Sequence, residues 1–170
     1  MFNFLKPHFY FNSIHDVPIT FYDENNIRAV LFDVDNTLEP YATSVPGDKT
    51  LELFASLREH GIKIAVISNN HEPRVKAFCE PLGVPYSFES GKPSSKKIHQ
   101  AMEQLDVSKD ETVLVGDQLF TDIWAANNSD IRGILVDKIN DKESFFIKFK
   151  RVLEIPFVSY VKKKGYGRIK

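Results

Sequence analysis

The chain has 170 residues, 42% hydrophobic and 26% charged, which is enough for one well-buried globular core and short for two domains. Its net charge of −1 excludes a general electrostatic pull toward nucleic acid, and no apolar run approaches the ~20 residues of a membrane-spanning helix. The lone cysteine, Cys79, excludes an internal disulfide, suits a reducing cytoplasmic setting and reads as a small core residue.

From the N-terminus, MFNFLKPHFYFNSIHD is aromatic and lacks the apolar block and cleavage site of a secretory leader. Residues 1–26 hold five of the 14 Phe and read as an extension on the domain that follows. IRAVLF (27–32) reads as a buried strand and DKTLELFASLREHG (48–61) as a helix with Gly61 just past its end. IKIAVIS (62–68) is a second strand. EPRVKAFCEPLG (72–83) is a helix with Pro73 near its start and Gly83 at its stop. VPYSFES (84–90) reads as a short strand, and PSSKKIHQAMEQLD (93–106) as a helix with Pro93 near its first turn. ETVLVGD (111–117) is a strand, TDIWAANNSD (121–130) a helix and IRGILVD (131–137) a last strand. This alternation predicts an α/β fold over 27–140: a Rossmann-like, doubly wound parallel sheet with right-handed crossovers and helices on both faces. Residues 141–170 form a basic, aromatic C-terminal extension. They hold nine Lys or Arg against three acids, a net +6, so the remainder carries −7.

Asp33 and Asp35 lie two apart at the end of the first of these strands. They share a side and would repel each other unless something positive lay between them. In such sheets ligands bind beyond the carboxyl ends of the strands, where Ser68, Asn69, Asn70 and Asp117 also fall. Carboxylates from two strands make an oxygen-rich site suited to Mg²⁺, which supplies the missing positive charge. The Ser68 hydroxyl and Lys92, in ESGKPSS, complete a phosphate cradle. One carboxylate there can act as nucleophile and a second can shuttle a proton.

DVDNT after an apolar strand, VISN, GKP and VGDQLFTD resemble, in order, the four motifs of the haloacid-dehalogenase-like phosphatase superfamily, over Ile27 to Asp137. DVDNTLEP, VISNN and VGDQLFTDIWAAN further resemble its phosphatidylglycerophosphate phosphatase branch, of the subfamily IIIA type. The resemblance implies that Asp33 takes the phosphoryl group as an aspartyl-phosphate. Asp35 would protonate the leaving alkoxide and then deprotonate the hydrolytic water. Mg²⁺ would be held by Asp33, the Asp35 main-chain carbonyl and Asp117, with Asp122 assisting. Ser68 would bond a phosphoryl oxygen and Lys92 would offset its charge. Asn36 and Thr37 would shape the loop.

Each residue also has a plainer reading. Asp33 and Asp35 suit a strand-ending turn, Ser68 an N-cap, and Asp122 a helix cap or a complement to its dipole. Lys96 and Lys97 compete with Lys92 but read as solvated helix residues. His60, His71 and His99 read as solvent-facing and Trp124 as core. Only 32 residues separate Asp35 from Ser68, and 23 separate Ser68 from Lys92, so neither gap holds a cap domain. The open site suits a bulky lipid phosphate, unless a partner or another subunit of a homo-oligomer covers it. The tail interleaves Phe with Lys and Arg. It suits either peripheral contact with the anionic inner face of a membrane or packing over the sheet's own helices. Two alternative functions remain at this level: a soluble sugar-phosphate or nucleotide phosphatase, and a noncatalytic phosphate-binding adaptor.

Overall fold

Apolar runs without polar alternation form strands buried on both faces, as a parallel sheet requires. In the computed structural model, which describes residues 2–41, 43–140 and 145–164, six strands form one sheet, the central ones such buried runs. They are β1 (Phe9–Phe11), β2 (Ala29–Phe32), β3 (Lys63–Ile67), β4 (Tyr86–Ser87), β5 (Thr112–Gly116) and β6 (Arg132–Val136). Every pairing is parallel, in the order β1-β6-β5-β2-β3-β4. Six helices connect or flank them: α1 (Ile19–Glu24), α2 (Asp48–Glu59), α3 (Glu72–Cys79), α4 (Lys96–Leu105), α5 (Trp124–Asn128) and α6 (Phe145–Lys164).

Alternation within the strands decides which helix covers which face. Val30, Phe32, Val66, Val113 and Val115 point toward α1, α2 and α3, where they meet Phe21, Phe54, Val75 and Phe78. Leu31, Ala65, Ile67 and Leu114 point the other way, onto Ile98 and Met102 of α4 and Ala125 of α5. The sheet is therefore doubly wound. α2 closes where Gly61 takes φ 71°, a left-handed conformation that a Cβ would strain. The connection from Asp35 to Ser68 holds α2 and β3, and that from Ser68 to Lys92 holds α3 and β4. Among the described residues neither carries a cap.

Several details differ from the sequence reading. The aromatic N-terminal segment contributes β1 to the sheet edge, and Phe9 and Phe11 meet Phe21 edge-on at 4.9 and 5.3 Å. Helix α4 begins at Lys96, so Pro93 precedes it by three residues; the residues between turn back to carry Lys92 into the interior. The helix expected from Thr121 opens instead as one turn of π-helix (Leu119–Ile123), because the Gln118 carbonyl accepts from both Asp122 and Ile123. Trp124 is half-buried against the Phe4 ring, 4.8 Å away, not in the core. The C-terminal segment is a single helix, α6, part of which packs on the sheet through Phe157, Val158 and Val161. The other part leaves Phe149, Val152, Leu153 and Ile155 exposed. The remaining tail positions, 141–144 and 165–170, lie outside the described residues.

Candidate active site

The winding reverses between β2 and β5. From β2 the chain proceeds to β3 and β4 on one side, then returns to β5 and β6 on the other. A crevice opens at such a reversal, at the carboxyl ends of the strands. Asp33 follows β2 directly and Asp117 follows β5. The Asp33 N–H donates to the Val115 carbonyl at 2.9 Å, which extends the ladder and holds the two acids side by side.

Asp122 joins them from the π turn. All three acids are buried, and each offers a carboxylate oxygen within 4.8 Å of the others. Lys92 reaches in from the loop before α4, its Nζ 2.7 Å from Asp33 Oδ1 and 2.6 Å from Asp122 Oδ1. Lys96 is exposed, and neither it nor Lys97 is buried as Lys92 is. Thr37 Oγ1 lies 3.4 Å from Asp33 Oδ2 and 3.3 Å from Asp117 Oδ1, bridging the two strand ends. Asn36 takes φ 65° in the turn between, and its side chain accepts from the Tyr41 N–H.

The electrostatics follow from this crowding. Burial pushes the Asp33 carboxyl up to about 8; the Lys92 ammonium pulls it down, while Asp122 and Asp117 push it further up. Burial also works against the Lys92 ammonium, but Asp122 and Asp33 outweigh it and hold its pKa above the ordinary lysine value. Among the described residues, one ammonium against three buried carboxylates leaves an excess of negative charge at the strand ends. That excess, presented entirely on oxygen, fits a divalent cation. Both Asp122 oxygens are engaged, Oδ1 by Lys92 and Oδ2 by the Gln118 N–H at 3.1 Å. Asp122 thereby steers Lys92, and Asp33, Asp117 and Asp122 together offer the oxygens that could hold a metal.

The Asp35 carboxylate stands apart from this cluster. Arg74 Nη2 holds Oδ1 at 3.1 Å and Asn70 Nδ2 holds Oδ2 at 3.0 Å. Ser68 follows β3 directly, buried, and its Oγ accepts from the Asn70 N–H at 3.1 Å. A hydroxyl used as acceptor still has its own proton to donate. Asn69 grips the Lys92 loop on both sides: its Oδ1 accepts from the Lys92 N–H and Ser90 Oγ, and its Nδ2 donates to the Lys92 carbonyl. The three residues SNN thus position a hydroxyl, a lysine and a carboxylate at once.

Three contributors escaped sequence reasoning. Arg74 sits at the start of α3 with Nε and Nη1 buried and, among the described residues, without hydrogen-bond partners, its guanidinium 5.4 Å from the Phe78 ring centroid. The faint signal was an arginine one turn beyond SNN. Gly116 precedes the motif acid, and Glu154 reaches from α6 to accept the Phe120 N–H at 2.7 Å, inside the turn that carries Asp122. Glu154 is one acid in a basic helix, which nothing local marks out.

A family model for haloacid dehalogenase-like hydrolases matches residues 39–130, a span that includes Ser68, Lys92, Asp117 and Asp122. A Bacillus subtilis (strain 168) protein, "Probable phosphatase YqeG", is 35% identical over 163 residues, covering 96% of this chain and 94% of that protein. The chain belongs to the haloacid dehalogenase-like hydrolases. It is also 24% identical over 174 residues to phosphatidylglycerophosphate phosphatase 1, chloroplastic/mitochondrial, of Arabidopsis thaliana, covering 95% of this chain and 49% of the plant protein. Among solved structures, the cobalt-bound deoxy-D-mannose-octulosonate 8-phosphate phosphatase of Haemophilus influenzae superposes with a TM-score of 0.53 at 16% identity. That match covers 77% of this chain and 89% of the other, and at this identity it speaks to the fold alone.

Proposed function

We propose that this protein is a Mg²⁺-dependent phosphomonoester hydrolase whose substrate is phosphatidylglycerophosphate and whose product is phosphatidylglycerol. The observation that carries the reading is Lys92 bridging Asp33 and Asp122 beside Asp117, a buried cation among carboxylates where strand ends meet. Asp33, Asp117 and the Asp35 main-chain carbonyl would hold the Mg²⁺, which would supply charge to offset the phosphoryl oxygens.

An Asp33 oxygen attacks phosphorus, forming an aspartyl-phosphate as the bond to the leaving alkoxide breaks. Asp35, oriented by Arg74 and Asn70, donates its proton to that alkoxide. It then takes a proton from water, which attacks phosphorus, releases inorganic phosphate and restores the Asp33 carboxylate. Lys92 and the Ser68 hydroxyl hold phosphoryl oxygens during both transfers.

Three features support the lipid assignment. The site has no cap among the described residues, the likeness to the Arabidopsis enzyme runs through nearly the whole chain, and α6 presents apolar and basic side chains together. Phe149 and Leu153 on its exposed side suit peripheral contact with an anionic bilayer, although no helix among the described residues is long and apolar enough to cross one.

Phosphate release from phosphatidylglycerophosphate in mixed micelles, with Mg²⁺ or with chelator, beside Asp33→Asn, tests the reading. Mg²⁺-dependent release by the unsubstituted protein alone is the expected result. Turnover confined to sugar phosphates or nucleotides removes the lipid assignment. Failure on a generic aryl phosphate as well removes the enzyme and leaves a binding module.

A further inference from the structure

Glu154, Phe157, Val158 and Val161 recur at helical spacing and turn α6 toward the core. A second stripe recurs at intervals of three and four: Lys148, Val152, Ile155, Ser159 and Lys162. These five share a face, and they form one wall of a groove of about 740 Å³ whose other wall is the end of β6 and the residues just after it. Asp117 lines the same groove. The groove therefore opens directly onto the carboxylate cluster; its α6 wall carries Val152, Ile155 and Val158 in the middle beside the buried Glu154, with Lys148 and Lys162 toward its ends.

We propose that this groove seats the body of the substrate, namely the glycerol backbone and first acyl carbons of an anionic lipid phosphomonoester. The position of the phosphate rests on the phosphatase reading above. Three observations support that occupant. Continuity with Asp117 puts whatever fills the groove within one molecule's length of the transferred phosphoryl group. Val152 and Ile155, 62% and 58% exposed, are apolar side chains presented to an open groove, where covering them with hydrocarbon is favourable. Lys148 and Lys162 place cations toward its ends, with Asp137 and Glu154 also among its lining residues. Lys162 is tied to Asp137 at 2.8 Å and closes one end, while Lys148 supplies a cation for the phosphodiester that such a lipid carries besides its monoester. The volume lies within the ~300–1,000 Å³ of small-molecule sites. It takes a headgroup and chain stubs and leaves the remaining hydrocarbon to the bilayer beside Phe149 and Leu153. In this arrangement α6 performs the selection that a cap performs elsewhere: Val152 and Ile155 are specificity-determining residues, outside the chemistry itself.

The test uses dioctanoyl phosphatidylglycerophosphate below its micelle concentration, so that adsorption to an interface cannot stand in for binding. Its affinity for the full-length Asp33→Asn protein in Mg²⁺ is measured by calorimetry, alone and combined with Val152→Asp, Ile155→Asp or Leu153→Asp. The same three substitutions are assayed for turnover of this lipid and of an aryl phosphate with Asp33 intact. A buried carboxylate opposing hydrocarbon is expected to weaken lipid binding, and to lower lipid kcat/KM, by about tenfold or more at positions 152 and 155. Aryl phosphate turnover stays within about twofold, as does everything measured for Leu153→Asp, which is exposed but outside the groove. Unchanged lipid affinity in both groove variants overturns the proposal. So does equal loss on the aryl phosphate, or no lipid binding by the Asp33→Asn protein. Binding that is sensitive to positions 152 and 155 without lipid turnover sustains the groove and removes the assigned reaction. Lipid turnover indifferent to both positions does the reverse.

Discussion

A Cβ built on Gly116 would stand 2.2 Å from Asp122 Cγ and 2.4 Å from its Oδ2. The last residue of β5 is thus bare so that the Asp122 carboxylate can lie against the strand, where it meets Lys92. Gly116→Ala forces one of them aside. Because the obstacle is a carboxylate held by Gln118 and Lys92, relief comes by breaking those contacts, not by a surface side chain swinging away. The expected result is a loss of about 1–3 kcal/mol in denaturant unfolding, typical of overpacking. Turnover of an aryl phosphate should fall about a hundredfold, the scale for losing one oriented charge in a site. Wild-type turnover in a stably folded Gly116→Ala protein would mean that Lys92 does not need Asp122 where it is. Asp33 and Asp117 could be read from sequence, because strand-ending acids fall at one edge of a parallel sheet, and Asp122 through the motif that VGDQLFTD resembles. The glycine's reason could not, since it depends on a side chain six residues later folding back through a π turn.

At the scale of elements, periodicity located β2, β3, β5, β6 and the helices between them, because each buries a face whose spacing is written locally. It missed β1 and α1, whose few residues are too short for a period to declare itself. It marked 141–170 by composition alone, without recognising a 20-residue helix that includes Pro156. Contacts across long sequence separations were also invisible: Arg74 to Asp35 spans 39 residues and Glu154 to Phe120 spans 34. The second of these couples α6 to the site. The buried Glu154 carboxylate accepts the Phe120 N–H in the turn that bears Asp122, so removing it leaves a part-buried donor without that partner. Glu154→Ala is expected to cost about 1–3 kcal/mol and to lower kcat by loosening Asp122. Glu154→Gln keeps an acceptor oxygen and should recover most of both. Thermal melts and steady-state kinetics on the pair check this. Equal defects in the two variants would assign the effect to lost charge or packing, not to the hydrogen bond.

At the scale of the whole molecule, charge is divided between the core and its C-terminal segment, −7 against +6, so a near-neutral protein presents a basic end to its surroundings. The groove and the outer side of α6 then make separable demands on a lipid: one selects a single molecule, the other meets a surface. Each lysine near an anionic bilayer contributes about 1 kcal/mol. That contribution fades as the screening length shrinks from about 10 Å at 0.1 M salt to about 3 Å at 1 M. Exposed Phe149 and Leu153 contribute by burial, which added salt does not screen. Co-sedimentation with phosphatidylglycerol vesicles should therefore be strong at low salt and largely lost at high salt. Phe149→Asp together with Leu153→Asp should weaken it further, while aryl phosphate turnover and the affinity for monomeric dioctanoyl lipid stay unchanged. Binding that persists unaltered at high salt would place the weight on the apolar residues and leave the charge division without a role at the membrane. Failure to sediment at low salt would remove the bilayer from the account. The substrate would then have to reach the groove as a dispersed molecule, which the two binding measurements, made on the same variants, distinguish directly.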